Sequence, residues 1–284
     1  VTLGHELSGV IDKVSDGVTE YTVGQRVVLS ALVPCGICEY CLRGMQNMCN
    51  HKEALSYQYA GGFAEYIAVP EAIIRAGGVI PLPDSVSLIE AAITEPCSCA
   101  LNGQELSNVV LGDVVCVMGA GPLGVAHCMI AKLRGASKVI LVDIVQERID
   151  MAKEFPQVDV RINGSQEDVV QRVMEETGGR GADVVIVASP ASSAQVQGVQ
   201  MAAKHGRVNF FGGLPKGNSM TTIDSNIVHY RELFLHGTSD STAMHMRAIL
   251  DLIADGRLNT AKLVTHVMPL SEFKAAFDLA ASGK

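Results

Sequence analysis

The stretch from Val114 to Asp143 constrains this chain more than any other. Val114–Met118 is a continuous apolar run, and Gly119, Gly121 and Gly124 follow it in G-x-G-x-x-G spacing, with Pro122 and Leu123 inside the turn. An apolar helical pattern then reaches Lys132, and Val139–Val142 is a second apolar run closed by Asp143. Strand, tight turn, helix and strand in that order predict a βαβ unit with parallel strands. The first glycine permits the turn, the second lets backbone approach a pyrophosphate, and the third lets the helix pack on the strand. The helix N-terminus adds free N–H donors and partial positive charge. Asp143 stands where an acid hydrogen-bonds both ribose hydroxyls of a dinucleotide and repels a 2′-phosphate. The pattern therefore predicts NAD in preference to NADP. Arg148 is placed to stack on adenine or to meet a phosphate.

The same alternation continues. Val184–Ala188 and Val208–Phe211 read as buried strands, Leu233–His236 as a last strand, and helical patterns lie between them and over Gln146–Phe155, Met244–Ala254 and Glu272–Ala281. A doubly wound parallel α/β sheet is expected. Before it, short apolar segments at Ser8–Val14, Gln25–Leu32 and Phe63–Val69 predict antiparallel β structure with loops. Ser87 and Glu90 have capping-box spacing ahead of a helix, and Pro96 interrupts the apolar segment after it.

At 284 residues there is room for about two domains. A net charge of −8 argues against a nucleic-acid or anionic-membrane partner, both of which need a cationic face. Val114–Ala131 is apolar enough to suggest a membrane span, but its glycines and Pro122 fit a strand, turn and buried helix better. The chain opens at Val1 without a signal-peptide pattern, and a cytoplasmic protein is expected.

Cys35, Cys38, Cys41 and Cys49 form C-x2-C-x2-C-x7-C. Such short spacings let one loop wrap a tetrahedral zinc ion, and four thiolates leave no open position, so a structural site is predicted. An iron–sulfur cluster or a pair of disulfides uses the same residues. Cys116 and Cys128 fall in apolar runs and read as core; Cys97 and Cys99 receive no role, and the histidines other than His5 have no ligand-like grouping.

Gly4-His5-Glu6-Leu7-Ser8-Gly9, the four-cysteine loop, Glu95-Pro96 and the Gly119 fingerprint occur in one order along the whole chain. Together they resemble the zinc-containing medium-chain alcohol dehydrogenases, particularly the sorbitol (polyol) and L-threonine dehydrogenase branch. The resemblance implies a GroES-like catalytic β domain, residues 1–97 and 239–284, and a Rossmann NAD-binding domain, residues 98–238. It implies His5 and Glu6 as ligands of a catalytic zinc, with Glu95 touching the metal directly or through water. Leu123, Asp143 and Arg148 match NAD-contacting positions, and Gly212 and Gly213 match the approach to the nicotinamide half. The implied reaction is hydride transfer from a secondary alcohol of a polyol to NAD by a homodimer or homotetramer. L-threonine 3-dehydrogenase is the alternative within the family, and a non-catalytic NAD-binding fragment the alternative outside it. The family also supplies a cysteine ligand upstream of the Gly-His-Glu motif and a strand beyond the position of Lys284, so a chain cut short at both ends is expected. Ser15 stands where the signature usually has Gly or Ala.

Overall fold

The computed structural model describes residues 1–282. The chain divides into two compact units, Val1–Ser98 with Asp240–Lys284, and Cys99–Ser239.

The first unit is built from short strands: β1 (Ser8–Val10), β2 (Arg26–Leu29), β3 (Leu32–Val33), β4 (Glu53–Ala54) and β5 (Val79–Pro81). They form an antiparallel sheet in the order β1-β2-β5 and a β3-β4 pair. Val27, Leu29, Val33, Leu55, Ile73 and Val79 make the core beneath them. Arg26 holds the connection after β5 by donating to the carbonyls of Pro83 and Val86, each at 2.9 Å. Helices α1 (Glu39–Leu42), α2 (Glu71–Arg75), α3 (Leu88–Ala92) and α4 (Thr94–Leu106) follow the loops. The Ser87–Glu90 capping box is present at α3. Pro96 falls in the first turn of α4, where its missing N–H costs no helical bond, so it separates two helices instead of breaking one. The strand expected at Phe63–Val69 does not form. An apolar alternation needs a neighbour for its backbone, and among the described residues no strand pairs with this segment.

The second unit is a six-stranded parallel sheet: β6 (Val114–Met118), β7 (Lys138–Asp143), β8 (Val160–Asn163), β9 (Ala182–Val187), β10 (Ala202–Phe210) and β11 (Phe234–Gly237). Helices α5 (Pro122–Leu133), α6 (Gln146–Met151), α7 (Val169–Glu176), α8 (Ser192–Met201) and α9 (Ser225–Arg231) lie between its strands in sequence. Strand order is β11-β10-β9-β6-β7-β8, so the winding reverses between β6 and β9. All of Val114–Met118 is buried, as expected of a strand covered on both faces. Ligands of such sheets bind beyond the carboxyl ends of the strands at the reversal.

The last segment returns to the first unit as α10 (Ala243–Ala254) and α11 (Phe273–Ser282). No helix among the described residues is long and apolar enough to cross a membrane.

Candidate metal centres and dinucleotide site

The four cysteines lie on one compact loop that includes α1 and a single 3-10 turn, Gln46–Met48. Their sulfurs are all within 4.8 Å of one another, with Cys35 and Cys41 4.0 Å apart and Cys38 and Cys49 3.9 Å apart. Sulfurs about 2.3 Å from a central zinc are roughly 3.8 Å apart across a tetrahedron. The loop therefore fits one ion, leaves no room for a multi-iron cage, and carries no disulfide. Backbone N–H groups point at the sulfurs: Cys35 N and His51 N each donate to Cys49 Sγ at 3.3 Å, and Cys38 N to Cys35 Sγ at 3.4 Å. N–H donors from Cys41 and Asn50 bring the Cys38 thiol down to about 6, and those of Ile37 and Cys38 lower Cys35. Burial drives Cys41 the other way, up to about 12. Bringing all four to thiolates releases protons, as metal binding does.

The second cluster is assembled from distant segments. His5, Glu6 and Glu95 place their ligand atoms within 4.8 Å of one another. His5 is half-buried, Glu6 partly open to solvent and Glu95 buried. The segment leading into His5 is held by backbone: Gly61 N donates to Thr2 O at 2.8 Å, Gly62 N to Gly4 O at 2.7 Å and Phe63 N to Leu3 O at 2.9 Å. Any side chain at Gly61 would overlap the Leu3 and Gly4 carbonyls, which is why that close approach uses glycine. Glu95 enters from the first turn of α4. Burial raises the Glu6 carboxyl above the usual range against the opposing pull of His5. One nitrogen and two carboxylate donors this close favour a divalent cation, which relieves the repulsion between the acids. The Cys97 thiol is pushed up to about 12, by burial first and then by the Glu6 and Glu95 charges, so it is neutral and unreactive beside the cluster.

In the second unit Gly119 has φ +117° and sits against Ala188, at the reversal between β6 and β9. A Cβ on Gly124 would overlap the Gly119 carbonyl, and Gly212 is pressed against Ser189. Gly121 is the N-cap of α5 with no side-chain cap, and Pro122 opens the helix, so the helix N–H groups there are not satisfied by a cap. Open space lies where a Gly121 side chain would project. Asp143, at the end of β7, is buried; its Oδ2 accepts from Ala120 N at 2.6 Å and its Oδ1 from Val145 N at 2.9 Å. The acid thus braces the glycine turn as well as closing the strand. Arg148 Nη1 is 3.8 Å from Asp143 Oδ2, and Leu123 is half-buried in the first turn of α5. Gly212 and Gly213 line a cavity of about 470 Å³ with Gln195, Phe210, Leu214 and Thr221.

Residues 122–255 match the family model of zinc-binding dehydrogenases, and residues 1–84 that of the alcohol dehydrogenase GroES-like domain. Sorbitol dehydrogenase of Halalkalibacterium halodurans is 33% identical over the whole chain, which covers 81% of that protein. The chain belongs to the zinc-containing medium-chain dehydrogenases. It lies in their polyol branch: D-xylulose reductase A of Aspergillus oryzae is also 33% identical, over 100% of this dehydrogenase and 78% of that one. A solved zinc-binding dehydrogenase of Sinorhizobium meliloti 1021, bound to NADP, superposes with a TM-score of 0.88 at 29% identity, over 96% of this chain and 78% of that one. The GroES-like and doubly wound architecture of this dehydrogenase is that of its family.

Two further residues of this dehydrogenase carry no sequence signal. Ser98 and Ser241 are buried and share a 2.6 Å hydroxyl contact beneath Glu95. Serines so far apart in the chain have no spacing rule that pairs them.

Proposed function

We propose that this chain is an NAD-dependent zinc dehydrogenase acting on a secondary hydroxyl of a polyol, with residues 1–97 and 239–284 as its catalytic domain and 98–238 as its NAD-binding domain. The observation that carries the reading is the convergence of His5, Glu6 and Glu95. Three protein donors leave an ion an open position, whereas the four sulfurs close theirs. Bound zinc would supply Lewis acidity toward the alcohol oxygen, and the bound dinucleotide a hydride acceptor. His5, Glu6 and Glu95 would hold the metal, Glu95 directly or through its water, where it would also join the relay for the substrate proton. Cys35, Cys38, Cys41 and Cys49 would hold the structural ion. The N-terminal N–H groups of α5, with Gly119, Gly121, Pro122, Leu123 and Gly124, would receive the pyrophosphate. Asp143 would take the ribose hydroxyls with Arg148 beside it, and Gly212 and Gly213 the nicotinamide half. Eight unpaired cysteines suit a reducing compartment such as the cytoplasm. The family supports a homodimer or homotetramer.

Elemental mass spectrometry of the purified chain, with oxidation assays on sorbitol, xylitol and L-threonine, tests the reading. Two zinc ions per chain, polyol turnover with NAD, and loss of one ion and of turnover in His5→Ala are expected. A single ion that survives His5→Ala, or turnover of L-threonine but of neither polyol, overturns it.

A further inference from the structure

Glu95 reaches the metal cluster from the first turn of a helix whose opening hydroxyl does nothing to fix it: Thr94 Oγ1 is buried and makes no hydrogen bond. What holds that turn lies one turn further on. Ser98 Oγ donates to the Glu95 carbonyl at 2.6 Å. A serine hydroxyl carries one proton, and a carbonyl can only accept, so Ser98 has no proton left to give. The 2.6 Å contact between Ser98 Oγ and Ser241 Oγ therefore runs from Ser241 to Ser98. Both serines are buried, at 0% and 5% exposure, so neither hydroxyl is replaced by bulk water when its partner is removed. Ser241 directly follows Asp240 in the chain. Asp240 pairs with Lys52, and Lys52 Nζ also donates to the Asn47 carbonyl at 3.2 Å, inside the four-cysteine loop. Every group in this series belongs to the first unit.

We propose that Ser241 and Ser98 are positioning residues for Glu95, forming a directed relay, Ser241 to Ser98 to the Glu95 backbone, that is anchored on the four-cysteine loop through Lys52 and Asp240. The inference rests on the reading of His5, Glu6 and Glu95 as a metal site. The relay fixes the helix turn from which the Glu95 carboxylate projects, and so the separation of that carboxylate from His5 and Glu6. Outer partners of metal ligands typically set affinity by 10- to 100-fold. The buried serines hold most of this control. The Lys52–Asp240 pair is about one-third exposed on both sides, where ion pairs contribute little.

The test is cobalt(II) binding to the full chain by chelator competition, with the visible absorption of the ion recorded at each site. In Ser241→Ala and in Ser98→Ala, affinity at the His5 site is expected to fall about tenfold with an altered ligand-field spectrum, while the cysteine site is unchanged. Lys52→Met is expected to weaken it less than threefold. Tyr21→Phe, which removes the hydroxyl bond to Val79 O at 3.0 Å elsewhere in the unit, serves as a stability control and is expected to leave both sites intact. Unchanged affinity in both serine variants, or equal weakening by Tyr21→Phe, overturns the relay while leaving the metal reading in place. A wild-type chain that binds cobalt only at the cysteines overturns the metal reading, and the relay with it.

Discussion

The four-cysteine loop and the His5–Glu6–Glu95 cluster occupy the same unit and are built in opposite ways. The first collects its donors from one short loop, places the sulfur pairs at 3.9 and 4.0 Å, and closes its own shell. The second draws on the first residues of the chain and on a helix far along it, and mixes an imidazole with two acids. A local site can be rigid because little chain must be ordered to close it, since closure entropy grows with the intervening length. A dispersed site needs the whole unit folded first, and in return it can keep one face open. On the proposed reading, stability belongs to the first kind of site and chemistry to the second.

The comparison predicts a split between stability and turnover. Replacing Cys35 and Cys38 by Ser removes two of four soft ligands, and structural zinc is coupled directly to folding. A fall in the melting temperature of the order of 10 °C is expected, with one metal equivalent lost, because about 1 kcal/mol shifts a chain of this size by 2–4 °C. His5→Ala is expected to abolish polyol oxidation and move the melting temperature by only a few degrees. Differential scanning calorimetry beside a turnover assay checks both. Equal melting losses in the two variants would erase the distinction.

His127 sharpens the contrast, because it is the same residue type as His5 in a setting with no ligand to hold. It is completely buried in α5, 4.4 Å from the Phe211 ring centre and edge-on to it, with Gln104 Nε2 3.2 Å from its Nδ1. Burial lowers its pKa from the ordinary 6.5 to about 3. A folded-state value below the unfolded one means that the unfolded chain binds the proton more readily. The stability contributed by the neutral ring is thus complete above pH 6.5 and is lost as pH falls toward 3. Several kcal/mol are at stake over that window, as an upper bound from about 1.4 kcal/mol per pH unit. His127→Leu is expected to flatten the pH dependence of urea unfolding between pH 7 and 5. An unchanged slope would show that another group sets the acid sensitivity.

The two clusters also differ in what the sequence discloses. Cysteine spacing shows a closed shell because the ligands are neighbours, and the glycine fingerprint shows a strand, turn and helix for the same reason. The boundaries of β6 and β7 and the capping box at Ser87 follow from equally local rules. Nothing local joins His5 to Glu95; only the resemblance set them side by side. Ser98 and Ser241 lay beyond even that, since a hydroxyl pair across the chain has neither period nor motif. The alternation at Phe63–Val69 misled for the converse reason: a strand is a relation between two segments, and one segment's pattern does not supply the other.

Asp143 lies between the two extremes and gives the smallest of these effects. Its position was legible from the motif, yet its two oxygens are already engaged by Ala120 N and Val145 N. Those bonds orient the carboxylate at the mouth of the glycine turn, so on the proposed reading its charge would meet the cofactor from a fixed place. Asp143→Asn keeps the size and removes the charge, at the cost of setting an amide N–H₂ against a backbone N–H. Removal of the repulsion toward a 2′-phosphate is expected to lower the NAD over NADP preference in kcat/KM by about tenfold, or roughly 1.4 kcal/mol. Arg148, 3.8 Å from the carboxylate and partly exposed, is the cation nearby that would then attract that phosphate. The double variant Asp143→Asn with Arg148→Ala is accordingly expected to lose the NADP gain while remaining as poor with NAD as the single variant. A wild-type enzyme that uses NADP as well as NAD, as the NADP-bound relative makes a fair comparison, would show that the two backbone bonds, and not discrimination at the ribose, are what this acid is for.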